Sequence, residues 1–309
     1  MGQGLWQAWL LSAPALAVLG LIIGSFLNVL IHRLPLMMAR QWWAEVAEHL
    51  QDGDAHRQVF SQALPAAMLQ TGRDLKQAVN NLPRLDLVLP RSHCPACGHV
   101  LRWRENVPLL GWLTLRGRCS ACGVRIPAQY PFVEALTAVL FAAIGWRFGP
   151  QPAALMWCAV AATLIALSAI DWDTTLLPDS LTLPLVWAGL LAAVAGWSGL
   201  SADSALIGAV AGYLSLWSVC WLYKLATGKQ GMGHGDFKLL AALGAWLGWQ
   251  AVLPIVLMAS VIGAVAGLGM KVTGRLREGR YVPFGPFLAG AGLVVLLAGT
   301  ELVLARMGW

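Results

Sequence analysis

Gly231-Met232-Gly233-His234-Gly235-Asp236-Phe237-Lys238 separates two long apolar runs with three glycines and one carboxylate. An acid beside hydrocarbon is costly unless it faces a cavity or the interior of a helix bundle, so it marks a functional site by default. The glycines permit φ > 0 and close backbone approach. Flexible backbone, no side-chain bulk and one carboxylate together fit a place where another peptide is gripped. A second acid cluster, Asp171-Trp172-Asp173-Thr174-Thr175-Leu176-Leu177-Pro178-Asp179, ends another apolar run. The two clusters are expected to meet.

The rest of the chain says what surrounds them. Of 309 residues 58% are hydrophobic and 12% charged, with mean hydropathy +0.65, against about 25% charged in globular proteins. This composition excludes an ordinary soluble domain and predicts an all-α polytopic membrane protein. Runs long enough to span, roughly 17 to 25 residues, fall near 11–31, 132–149, 153–170, 181–198, 204–223, 251–271 and 284–304, with a shorter run near 237–249. Counting the short run gives about eight transmembrane helices. Alternating from an outside N-terminus then places every one of the 21 Lys and Arg inside except Arg147 and Arg306, a strong positive-inside bias. Without the short span, Lys271, Arg275, Arg277 and Arg280 would lie outside. Both termini are therefore expected on the periplasmic side, and both acid clusters at cytoplasmic helix ends. The first basic residues, His32 and Arg33, follow the apolar run, which reads as an uncleaved anchor.

Three regions follow: a first transmembrane helix over 1–35, a cytoplasmic domain over 36–131 and a transmembrane domain over 132–309. In the first helix Gly20 and Gly24 form a small-xxx-small face for close packing, and Asn28 needs an interhelical partner. Leu36 to Leu50 mixes Met37, Trp42, Trp43, Val46 and Leu50 with charges, as an amphipathic helix on the cytoplasmic leaflet or a solvated helix would. Gln51 to Pro90 carries little signal and is expected to be partly flexible. Cys94-Pro95-Ala96-Cys97-Gly98 and Cys119-Ser120-Ala121-Cys122-Gly123 are two CxxC pairs with 21 residues between them. Four thiolates so spaced predict a structural zinc ribbon on Cys94, Cys97, Cys119 and Cys122. Two disulfides are the alternative, and a reducing cytoplasm disfavours them. Cys158 and Cys220 lie in apolar spans and read as inert small hydrophobes.

Two Asp side chains from different helices can hydrolyse an amide. One ionised carboxylate takes a proton from water, and its protonated partner donates to the carbonyl or leaving nitrogen; two carboxylates at one site share a proton. Asp171 directly ends its apolar run and is the member of its cluster expected to point inward. Each acid also has a structural reading: Asp236 as the N-cap of a helix starting at Phe237, Asp179 as a helix N-terminal acid after Pro178, and Glu134 as a first-turn acid favoured by the helix dipole. Lys238 either pairs with a nearby acid or faces lipid headgroups, and His234, a lone His between glycines, reads as incidental.

Gly233-His234-Gly235-Asp236 is a GxGD motif, extended by Lys238 to GxGDxK. With GSFLNVLIHRLP (24–35), the paired CxxC loop, ENVP (105–108), YPFVE (130–134), the D-x-D-x3-LPD segment (171–179), GYLSLW (212–217) and PFGPFL (283–288), the whole chain resembles the bacterial type IV prepilin peptidases, GxGD aspartic peptidases of the inner membrane. The resemblance implies removal of a basic leader from prepilins and type II secretion pseudopilins at the cytoplasmic face. N-methylation of the new N-terminal residue from S-adenosylmethionine follows, and no nucleic acid is implicated. It implies catalytic Asp171 and Asp236, supported by Gly233, Gly235, Lys238 and Asp179, with zinc-type ligands at the four cysteines. Methyl transfer would belong to the cytoplasmic portion, with Gly117 a candidate there; no Rossmann-like fingerprint is present. Lys and Arg in the basic loops would repel a basic leader, and Asp173, Asp179 or Glu134 would offset that. The Trp-rich stretch after Leu36 departs from the family pattern. Two rivals are a proton-coupled transporter using the carboxylate pair, which usually has internal repeats and midplane acids, and a zinc-ribbon adaptor whose acids are only caps.

Overall fold

The computed structural model describes residues 9–229, 231–274 and 282–308, and among these it contains twelve helices and no strand beyond two isolated bridges. Arg275, Arg277 and Arg280, which entered the charge count, lie outside the described residues. The helices are α1 (Ala13–His49), α2 (Gly53–Phe60), α3 (Ala66–Asn80), α4 (Leu110–Thr114), α5 (Gln129–Phe148), α6 (Pro152–Thr174), α7 (Asp179–Val194), α8 (Ala202–Thr227), α9 (His234–Leu247), α10 (Trp249–Val272), α11 (Gly285–Ala298) and α12 (Thr300–Met307).

Eight of them, α1 and α5 to α11, are apolar. Five, α1, α5, α6, α8 and α10, are long and apolar enough to cross a membrane, and the chain is a multi-pass membrane protein. The run at 284–304 is not one straight span: it breaks at Gly299 (φ +92°), and α11 and α12 meet at 105°. α7, with 16 residues, and α9, with 14 residues, reach about 24 and 21 Å at 1.5 Å per residue, short of a hydrocarbon core of about 30 Å.

Shortness suits α9, because its neighbours enclose it on nearly every side. Nearly all of it from Asp236 to Trp246 is buried, packed among α7, α8, α10 and α11. Glycines make the close crossings: Gly208 of α8 lies on the Gly244 backbone of α9, and Gly212 on the Leu240 backbone. The Trp246 indole N–H donates to the Leu185 carbonyl of α7 (2.8 Å). On the other side α1 packs on α5 as the small-residue face predicts. A Cβ at Gly20 would lie 2.7 Å from the Ala138 Cα, and one at Gly24 2.7 Å from the Glu134 Cα. Asn28 finds its partner in the Tyr130 carbonyl (3.0 Å). α6 sits between the two groups, against α1, α5, α7 and α11.

Residues 36–131 differ from expectation. α1 runs unbroken through Pro35 for 37 residues, about 55 Å, so the boundary drawn at residue 35 falls inside a helix. Leu36 to Leu50 is therefore not a separate helix on the leaflet. It continues α1 and pairs with α3: Ala47 is buried under Gly72, and Gln51 donates to the Gly72 carbonyl (3.2 Å). Gln51 to Pro90, expected to be partly flexible, contains α2 and α3. A long helix with a partner gains more from interhelical burial than it loses to one missing hydrogen bond at proline.

Candidate active site

Asp171 lies in the last turn of α6. Thr175, in the left-handed region at φ 56°, turns the chain back and donates its N–H to the Asp171 carbonyl (2.8 Å), ending the helix there. The Asp171 side chain is 5% exposed. Its Oδ2 accepts the backbone N–H of Gly285 (3.0 Å) at the start of α11. A helix N-terminus offers free N–H groups and positive dipole, which suits a carboxylate. Any side chain at 285 would displace the carboxylate or the helix, since a Cβ there would sit 2.6 Å from Asp171 Oδ2.

Asp236 is not an N-cap, the structural reading that its sequence also allowed. Gly233 is the N-cap and α9 starts at His234, so Asp236 is the third helical residue. The three-residue shift turns its side chain inward: it is 8% exposed, and its buried Oδ1 has no hydrogen-bond partner among the described residues. Leu177 wedges between the two glycines that flank the acids: a Cβ on Gly235 would meet its Cβ at 2.7 Å, and one on Gly285 its Cδ1 at 3.3 Å. The two clusters thus meet, as their sequences suggested.

The neighbours divide. Asp179 is the first residue of α7, after the Pro178 N-cap, and both its oxygens accept from Lys238 Nζ (2.6 and 2.7 Å). That pair ties the start of α7 to the start of α9. Asp173 accepts from Gln129 of α5 (3.0 Å). Glu134 is a correction: α5 begins at Gln129, so Glu134 lies beyond its first turn. It is buried, and its Oε2 accepts the Leu109 N–H (2.8 Å), docking the ribbon onto the membrane part. His234 is exposed, edge-on to Phe237 at 5.5 Å. Sequence reasoning gave no role to Gly285 or Leu177. Gly285 was visible within PFGPFL, and Leu177 within the LPD segment.

The four cysteines of the ribbon converge, with every Sγ within 4.8 Å of the others. Sγ of Cys94 and Cys122 are 3.8 Å apart, and those of Cys97 and Cys119 3.9 Å. A tetrahedral zinc with Zn–S of about 2.3 Å has edges of about 3.8 Å, so the residues fit that ion. Each CxxC forms the same loop: Gly98 (φ +72°) and Gly123 (φ +71°) send their N–H to the Cys94 and Cys119 carbonyls (2.9 and 3.0 Å). The N–H groups of Cys122 and Ala121 bring the Cys119 thiol down to about 6. Cys97, despite a favourable contact from the His99 backbone, is pushed up to about 12 by burial and by the thiols around it. Four thiolates this close need a cation between them. Gly117, at φ +68°, faces the Trp112 ring, which a Cβ would approach to 2.8 Å.

Two family models match the chain: the bacterial peptidase A24 N-terminal domain over residues 18–148, and the type IV leader peptidase family over residues 158–268. Among curated relatives, the prepilin leader peptidase/N-methyltransferase of Burkholderia pseudomallei strain 1026b is 49% identical over 292 residues, covering 94% of this chain and 87% of that protein. The protein of the same name from Aeromonas hydrophila is 46% identical, with 91% and 89% covered, and that from Pseudomonas aeruginosa 47% identical, with 92% and 90% covered. No solved structure matches.

Proposed function

We propose that this chain, which belongs to the type IV leader peptidase family, is a membrane aspartic endopeptidase that removes the leader of prepilins and pseudopilins with Asp171 and Asp236, and then N-methylates the new N-terminus. The observation that carries the reading is the convergence of two buried carboxyls whose surroundings differ. Asp171 has a backbone donor at a helix N-terminus, which favours its ionised form, so it takes the proton from the attacking water. Asp236, with a buried oxygen that lacks any donor, is favoured neutral and hands its proton to the carbonyl or leaving nitrogen. Gly233, with open space where a Cβ would stand, leaves room for an extended peptide above α9, and Gly235 lets Leu177 pack close. The Lys238–Asp179 pair fixes the mouth. The relatives named above are peptidase–methyltransferases, and nothing in this geometry favours the transporter reading.

The charge pattern supports a cytoplasmic mouth in the bacterial inner membrane, with 36–131 on the cytoplasmic side and 132–309 as the peptidase region. Zinc on Cys94, Cys97, Cys119 and Cys122 would be structural, since all four positions of a tetrahedral ion are filled. S-adenosylmethionine would supply the methyl group. The relatives' names support that half, and the cytoplasmic region is its place; Gly117 is the candidate residue there, although its contact with Trp112 gives it a packing role as well.

The test is cleavage of a purified prepilin in detergent with S-adenosylmethionine, read by mass spectrometry for wild type, Asp171→Asn and Asp236→Asn. Loss of cleavage in both variants, with a cut and an added methyl mass in wild type, is the expected result. Cleavage retained in either variant rules out the pair.

A further inference from the structure

We propose that the ribbon carries a binding site for an anionic phospholipid headgroup, formed by Arg91, Arg102, Arg104 and Trp103. These residues, with Val100 and Leu101, line a cavity of about 510 Å³. All three arginines are exposed, and among the described residues none of their guanidinium groups donates to an acceptor or pairs with a carboxylate. The carboxylates close by in sequence are already engaged. Glu105 Oε2 accepts the Arg102 backbone N–H (2.8 Å) and lies 3.1 Å from His99. Asp86 accepts the N–H groups of Val88 and Leu89 and pairs with Arg84. Three like charges on one cavity without a counter-ion call for an anion with several acceptor oxygens, and guanidinium groups match phosphate oxygens in pairs.

Position selects the lipid over a soluble anion. Arg33 lies two residues beyond the apolar run that ends at Ile31 on α1. Its guanidinium donates to the Asp86 carbonyl (2.8 Å) and the Pro90 carbonyl (2.6 Å). The backbone leading into Arg91 is thereby pinned where α1 leaves the hydrocarbon. The cavity's apolar lining faces outward: Trp103 is 74% exposed and Val100 47%. The Arg104 guanidinium lies 5.1 Å over the Trp103 ring. Tryptophan beside arginine, with aliphatic side chains in the lining, is the composition of a surface that sits among headgroups. A free phosphate has no use for that lining. The contact also replaces the leaflet-bound helix that Leu36 to Leu50 does not form.

The experiment is native mass spectrometry of the full-length zinc-loaded protein in detergent, titrated with phosphatidylglycerol, phosphatidylcholine or inorganic phosphate. Wild type is expected to retain phosphatidylglycerol over phosphatidylcholine. The triple variant Arg91→Gln/Arg102→Gln/Arg104→Gln should bind it about a hundredfold more weakly, from about fivefold per arginine. Equal retention in a triple variant of normal zinc content overturns the proposal. So does displacement of the lipid by millimolar inorganic phosphate, which would make the site one for a soluble anion. If the triple variant loses its zinc, Arg102→Gln and Arg104→Gln are read singly. Each should weaken binding about fivefold, and no change in either overturns the proposal as well.

Discussion

Replacing Gly285 by alanine tests the division of labour between the two aspartates at one atom. The added methyl would lie 2.6 Å from Asp171 Oδ2, 3.2 Å from its Cγ and 3.3 Å from Leu177 Cδ1. Real Cβ atoms essentially never come closer than 3.0 Å to a neighbour, so the carboxyl must retreat by about half an ångström or α11 must shift, and either movement stretches the 3.0 Å bond from the Gly285 N–H. A hydrogen bond to a charged group contributes about 1.5–3 kcal/mol, which is about 10- to 100-fold in rate. Displacement of a reacting group by a fraction of an ångström adds to that. The expected outcome for Gly285→Ala is thus a fall in kcat of about a hundredfold with KM little changed, measured as initial rates of prepilin cleavage at several substrate concentrations. Gly290→Ala on the same helix is the control, since nothing lies within 4 Å of a Cβ there, and it should keep the wild-type rate. A folded Gly285→Ala enzyme with wild-type kcat would refute the claim that this N–H holds Asp171 for catalysis.

Three further outcomes are expected. Elemental analysis should find one zinc per chain, and Cys94→Ser or Cys119→Ser should lose it while circular dichroism still reports the membrane helices; a serine variant that keeps a full equivalent would contradict the four-sulfur site. Gly24→Ala forces a Cβ to 2.7 Å from the Glu134 Cα and should destabilise the α1–α5 packing by about 1–3 kcal/mol, seen as a lower thermal midpoint in detergent, whereas Gly269→Ala, with open space around it, should not. A double-mutant cycle on Lys238→Ala and Asp179→Ala should give a coupling of about 0–1 kcal/mol in stability, because the Asp179 side chain is 58% exposed; a coupling above about 2 kcal/mol would show the pair to be far better shielded from water than it is here.

Much of this protein is written in short-range pattern. Apolar runs set the helices, because hydrophobic burial and backbone hydrogen bonding in lipid are decided over about 20 residues. The two CxxC pairs set the ribbon, because each half of a tetrahedral sulfur site is made by four consecutive residues and a glycine turn. GxGD announced Asp236, and the end of an apolar run announced Asp171. What the sequence could not decide is register and partnership. Whether Asp236 caps α9 or sits in its first turn depends on where the helix starts, a choice of three residues that rotates the side chain from the mouth to the interior. Glu134 carries the same lesson: its partner is the Leu109 N–H, not its own helix dipole. Above all, the donor to Asp171 is Gly285, 114 residues away. Nothing local in PFGPFL specifies that bond; it exists because α11 packs on α6 and brings an unpaired helix N-terminus, bare of side chain, against a buried acid.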